Sequence, residues 1–196
     1  LENAQVIIVQ VGANKGATDN DPVWALCQEN LPESLDWTLL LFEPNPKAAH
    51  ICLRNYKAYG FKDVTIMEAA VSDCDRTVEL YIDNDIPGNE GSQHASMYLS
   101  HMYKMGHAYE ALVKITVPCI TLNDYIPHQV DYLQIDTEGH DDIIVNSIDF
   151  ERFDIKKIEF EKAHLEEYRL ERTTKLLKNN GYHIAWESRE DICFER

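Results

Sequence analysis

The sequence predicts an α/β fold, a doubly wound and mostly parallel sheet, and three observations carry that prediction. Apolar, β-branched runs alternate with segments of helical period through the first third of the chain. Those runs are mostly apolar, as strands buried on both faces of a parallel sheet are. Polar clusters directly follow the runs that end near residues 11, 42 and 135, the place where open α/β sheets bind their ligands.

The first run, residues 6–11, ends in a small turn bounded by Gly12 and Gly16, which lets backbone approach a neighbour or ligand closely. Its G-x-x-x-G spacing is neither the dinucleotide G-x-G-x-x-G nor a P-loop. Asp21-Pro22 then reads as an N-cap with proline in the first turn, and Val23, Leu26, Cys27 and Leu31 recur at helical spacing. Residues 37–42 form the second strand. Asn45-Pro46 starts the second helix, with Ala48, Ile51, Cys52 and Tyr56 on one face and Gly60 as its stop. Residues 64–67 are the third strand and lead into 68–73.

An insertion then breaks the rhythm. Residues 77–82 alternate apolar and polar side chains, as a half-exposed antiparallel strand does, and 113–119 reads as another strand. Between them, residues 84–111 carry three histidines, three methionines and three tyrosines. So long a loop with that composition is expected to be a lid or substrate segment, with a short helix inside 98–111. After a helical turn at 121–126 the alternation resumes: strand 130–135, helix 141–148, strand 155–160 and helix 166–180, whose Leu170, Thr173, Leu176 and Leu177 face inward. Strands at 182–186 and 192–194 close the chain as a hairpin.

A chain of 196 residues with 44% hydrophobic content, three Trp and ten Tyr suits one domain, 1–196, with a sizeable core. Its 34 acidic and 18 basic residues give a net charge of −16 and no concentrated basic patch, which argues against nucleic acid as a partner. No run is long enough for a membrane span and no leader opens the chain. Because strand begins almost at once, the N-terminus is expected to be trimmed from a longer protein. Five cysteines without a CxxC pair read as free thiols of a reducing, cytoplasmic setting, Cys27 and Cys52 among them as small core residues.

Glu43 follows the second strand, where a carboxylate accepts hydrogen bonds from a ribose hydroxyl pair in nucleoside-binding sheets. Asp136, Glu138 and His140 crowd five residues at the end of the 130–135 strand, beside Gly139. Such carboxylates bind an ammonium, act as a general base, or hold a hard cation. The plainer alternative has Asp136 capping the next helix while Glu138 and His140 face water. Glu159 and Glu161 share one face of the 155–160 strand; Glu161 is a candidate for the pocket, and His164 is ambiguous.

In order along the chain, VGANKG, FEPNP, AAVSD with its following ELYI strand, TLNDY and IDTEGHD resemble the FkbM family of S-adenosylmethionine-dependent methyltransferases, over roughly residues 6–165. The resemblance implies a class I methyltransferase, a Rossmann-like sheet of seven strands with the last antiparallel, here with an inserted β-hairpin and lid loop. It places Gly12, Ala13, Asn14 and Gly16 against the methionine part of S-adenosylmethionine and Glu43 on its ribose. Glu68, Ala69, Ala70 and Val71 fall near the adenine, and Asp136, Glu138 and Gly139 between cofactor and substrate. Two positions depart from the family pattern: Gln10 stands where the family has Asp, and Gln134 where it often has a basic residue.

These readings combine into an O-methyltransferase of the EC 2.1.1 class acting on a hydroxyl of a small molecule, sugar or polyketide. Asp136 or Glu138 is the expected base, with His94 and Glu161 behind them; a divalent metal held by Asp136 and Glu138 is the remaining cofactor question. The alternative is a catalytically weak cofactor-binding or interaction domain of a larger protein, suggested by Gln10. A nicotinamide-dependent oxidoreductase is disfavoured by the absent G-x-G-x-x-G.

Overall fold

The computed structural model describes residues 5–83 and 95–196. Its centre is β1 (Ile7–Val11), which pairs in parallel with β2 (Thr38–Phe42) on one side and β8 (Gln129–Ile135) on the other. With neighbours on both edges and helices on both faces, β1 lies in the core, and Ile8, Val9 and Val11 are almost wholly buried. The remaining strands of this sheet are β3 (Asp63–Met67), β9 (Asp154–Glu161), β10 (His183–Glu187) and β11 (Asp191–Glu195). The order is β10-β11-β9-β8-β1-β2-β3, parallel except for β11, which runs against both β9 and β10. The seven-stranded sheet with one reversed strand is thus the one expected.

Alternation along β1 divides the core. Ile8 packs with Leu39, Leu41 and residues of α1 (Pro22–Glu29) and α2 (Pro46–Tyr59), including Val23, Trp24, Cys52 and Tyr56. Val9 and Val11 face the other way, toward Ile144 and Val145 of α4 (Asp141–Ser147) and Leu177 of α5 (Glu167–Asn179). Both early helices begin as their sequences dictate: Asp21 accepts from the amides of Val23 and Trp24, Asn45 accepts from that of Lys47, and a proline follows each cap. Gly60, at φ 96°, ends α2 in the left-handed conformation. Leu31 departs from expectation, because α1 stops at Glu29 and Leu31 is 46% exposed beyond it.

The insertion is larger than a hairpin. β5 (Arg76–Asp83) and β7 (Leu112–Thr121) form a long antiparallel ladder, joined at one edge by β4 (Ala70–Ser72) and at the other by β6 (Ala95–Ser96), giving a second sheet in the order β4-β7-β5-β6. Residues 70–72, expected only as a connection, therefore form a strand. α3 (Leu99–Lys104) lies in the later part of the 84–111 segment, where a short helix was expected. All five cysteines are free, four of them buried and Cys74 exposed. Among the described residues, no helix is long and apolar enough to cross a membrane.

Candidate active site

A cavity of about 450 Å³ opens over the carboxyl ends of β1, β2 and β8. Gly12, Ala13, Asn14 and Glu43 line one side, Ala69, Ala70 and Val71 another, and Asp136 with Glu138 a third. The second sheet closes it with Leu80, Ala95, Ser96 and Met97. The three polar clusters thus meet around one space. Gly16 and Glu68 are not on this wall: Gly16 packs on Cys52 and Tyr56, and Glu68 pairs with His50 at 3.0 Å on the surface. His94 lies outside the described residues.

Gly12 is required by close packing. At φ 83° a Cβ there would fall 1.8 Å from the carbonyl oxygen of Asp136, so only hydrogen lets the turn after β1 cross the end of β8. The amides of Gly12 and Ala13 both donate to the carbonyl of Phe42, which ties the turn to β2. Glu43 completes that tie. One of its oxygens accepts from the amide of Asn14 and the other from that of Asn45, each at 2.8 Å. Burial pushes its pKa up to about 7 against the pull of those two amides. Each carboxylate oxygen retains an acceptor site beyond the one used.

Gln10 and Gln134 are partners across β1 and β8, both buried and both on the cavity wall. Their side-chain carbonyl oxygens have no hydrogen-bond partner among the described residues. Two unsatisfied acceptors in a cavity favour a ligand that donates hydrogen bonds there. Gln10 also donates to Asp21 at 3.0 Å. Asp21 itself lines the cavity, and its pKa is raised by burial. The carboxylate of Asp21, the N-cap of α1, thus stands beside the position 10 side chain on the cavity wall. Asp21 is legible in the sequence as a cap; its place beside Gln10 depends on the fold.

The loop after β8 folds around Asp141. This side chain, fully buried, accepts from the amides of Thr137 and Gly139 at 3.2 Å each, and burial pushes its pKa up to about 7. Asp136 does not cap α4; its carboxylate remains open to the cavity. Protein crowding the cavity floor, then the charges of Asp141 and Glu138, hold its pKa well above the usual carboxylate range. Glu161 is pushed up to about 9 by burial and then by Asp136 and Asp141. Glu159 is instead drawn to Lys157, 3.9 Å away. His140 is buried, not facing water: its ring nitrogens meet Ser72 Oγ at 2.9 Å and Tyr98 Oη at 2.8 Å, and burial lowers its pKa to about 4. Glu138, at φ 57°, turns its carboxylate to His101 Nε2 at 2.8 Å. His101 escaped the sequence reading because the residues it meets are remote in the chain.

Comparison with protein-family models matches residues 10–184 to the methyltransferase FkbM domain. The chain belongs to this family. It is an S-adenosylmethionine-dependent methyltransferase. No curated protein sequence matches it. Similar solved structures include a putative rRNA methylase from Clostridium thermocellum, at 10% identity and TM-score 0.53, with 97% of this chain and 86% of that one covered. An rRNA methylase from Streptococcus thermophilus follows at 9% identity and TM-score 0.52, with 98% and 87% covered. Precorrin-6y C5,15-methyltransferase from Geobacter metallireducens GS-15 is 12% identical at TM-score 0.49, with 98% and 82% covered. At these identities the likeness to the two rRNA methylases is one of fold, the class I methyltransferase sheet that the FkbM domain implies.

The FkbM site fits its cofactor on two counts independent of the family match. Its volume falls within the range of roughly 300–1,000 Å³ that holds organic ligands, and its unsatisfied acceptors and carboxylates suit an ammonium, ribose hydroxyls and a sulfonium.

Proposed function

We propose that this FkbM domain transfers the methyl group to a hydroxyl oxygen of a small molecule, sugar or polyketide, with Asp136 as the general base. The supporting observation is the Asp136 carboxylate, open to the cavity and with a raised pKa. A carboxylate so raised is better matched to taking a proton from a hydroxyl than an ordinary one. S-adenosylmethionine supplies an activated methyl carbon, whose bond to sulfur breaks as the acceptor oxygen attacks, leaving S-adenosylhomocysteine. The protein's part is mainly to hold the two reactants in line.

In this reading Glu43 holds the ribose hydroxyls, while Asp21 and Gln10 receive the ammonium of the methionine part. Gly12, Ala13 and Asn14 bound that end, and Ala69, Ala70 and Val71 the adenine. Glu138 stands on the acceptor side, His94 is a reserve proton acceptor, and Glu161, which keeps its proton up to about pH 9, borders the group. The single unit 1–196 carries the reaction, with residues 84–111 choosing the acceptor. The strong negative charge favours a small acceptor over a nucleic acid.

Calorimetry with S-adenosylmethionine, followed by turnover with a panel of hydroxylated acceptors, tests the assignment. Asp136→Asn is expected to keep cofactor affinity and lose turnover about a hundredfold or more. A full-rate variant removes Asp136 from the base role. Asp21→Asn is expected to weaken cofactor binding; unchanged affinity removes Asp21 from the ammonium site.

A further inference from the structure

Beside the cavity, three segments far apart in the chain bring three metal-ligating side chains together. His101 comes from α3, Glu138 from the loop after β8, and His164 from the loop after β9. Glu138 Oε2 lies 2.8 Å from His101 Nε2 and 3.6 Å from His164 Nε2. All three ligating atoms fall within 4.8 Å of one another. Around a tetrahedral ion with ligand bonds of about 2.0–2.2 Å, ligand atoms stand roughly 3.4 Å apart, so small side-chain rotations admit one.

Burial and the orientation of the rings add to this placement. His101 is buried, 8% exposed, and its Nε2 is aimed at Glu138 Oε2. The two imidazoles meet edge to face, with ring centres 4.5 Å apart and planes at 87°, so their nitrogens converge without the rings stacking. Glu161 Oε1 flanks the group at 3.3 Å from His164 Nε2, and Glu161 Oε2 is buried without a hydrogen-bond partner. Two imidazole nitrogens and converging carboxylates form the donor set of a cation. Two imidazoles select a transition metal over Mg²⁺ or Ca²⁺.

We propose that His101, Glu138 and His164 bind one divalent transition-metal ion, Zn²⁺ being the type, which fastens α3 to the ends of β8 and β9. Three protein ligands leave a tetrahedral ion one position open. Resting on the hydroxyl-acceptor reading above, that position receives the acceptor oxygen, since Glu138 is shared between the metal group and the cavity wall.

The test uses the full chain without a histidine tag, stripped with a chelator and titrated with Zn²⁺ by calorimetry and with Co²⁺ by visible absorption. One equivalent is expected to bind, with the absorption of imidazole-ligated Co²⁺. His101→Ala and His164→Ala should each weaken binding at least about tenfold. His50→Ala, at the exposed pair with Glu68, should leave it unchanged. Absence of saturable binding by the wild type, or binding untouched in the His101→Ala/His164→Ala double variant, overturns the proposal. S-adenosylmethionine calorimetry on the same samples reports on folding and on the cofactor site separately. A chain that binds the metal but methylates none of the hydroxylated acceptors would sink the hydroxyl-acceptor reading alone.

Discussion

Single atoms decide how the opening turn works. The glycines at 12 and 16 are held by the protein itself, since a Cβ at Gly16 would fall 2.4 Å from Cys52 Sγ, much as one at Gly12 would strike the Asp136 carbonyl. Gly12→Ala is expected to destabilise by more than about 4 kcal/mol or to prevent soluble folding, because the obstacle is backbone that cannot swing away. Gly60→Ala meets nothing within 4 Å and should cost only about 1–2 kcal/mol for its left-handed φ. Urea unfolding of the pair gives the comparison, and equal losses would show that conformation, not contact, governs Gly12. At Glu43 the geometry shows a structural task beside the proposed ribose role, since this carboxylate braces two backbone amides. Glu43→Gln retains one acceptor oxygen and turns an NH₂ toward the other amide. It should weaken S-adenosylmethionine binding by about 1–3 kcal/mol and also lower stability by about 1–2 kcal/mol. Calorimetry at unchanged affinity would remove Glu43 from the ribose site.

Among the elements, those set by local pattern were legible in the sequence and those set by distant partners were not. β1 and β2 are runs apolar enough to be read alone, and the caps at Asp21 and Asn45 announce α1 and α2. β4 has three residues, and only its parallel pairing with β7 makes it a strand. For the same reason the insertion read as a hairpin and is a four-stranded sheet. The site followed suit: clusters at strand ends were found, whereas Asp21 beside Gln10 and His101 beside Glu138 needed the fold. α5 shows how such a remote contact can carry stability. Its Arg169 grips both oxygens of Asp142 in α4 and donates to the carbonyl of Gly139 at 3.1 Å, fixing the loop that holds Glu138. Arg169→Ala leaves a mostly buried carboxylate unpaired and should cost about 2–3 kcal/mol. Arg169→Lys should recover only part of it, since an ammonium cannot span both oxygens. Full recovery by Lys in thermal unfolding would mean that charge alone mattered.

For the whole molecule, the acidic balance and the placement of buried carboxylates at one edge of the sheet make the ligand-free protein sensitive to pH. Glu43 and Asp141 both have pKa values near 7 in the folded chain, against ordinary values of 4.5 and 3.8. Between those limits the folded chain holds protons that the unfolded chain has released. The stability linked to these groups is therefore full at low pH and lost as pH rises through about 7. His140 acts in the opposite sense: its pKa is lowered from 6.5 to about 4, so its contribution is present above 6.5 and lost as pH falls toward 4. The window in which the carboxylates act without it is about pH 6.5–8. Across that window the urea midpoint of the ligand-free protein should fall, and Glu43→Gln, which does not titrate, should flatten the slope. Cofactor affinity should run the other way, because ionised Glu43 is the better acceptor for hydroxyls and the better neighbour for a sulfonium. A midpoint that stays level or rises from pH 6.5 to 8 would mean that both carboxylates titrate near their ordinary values, with the two amides on each outweighing burial.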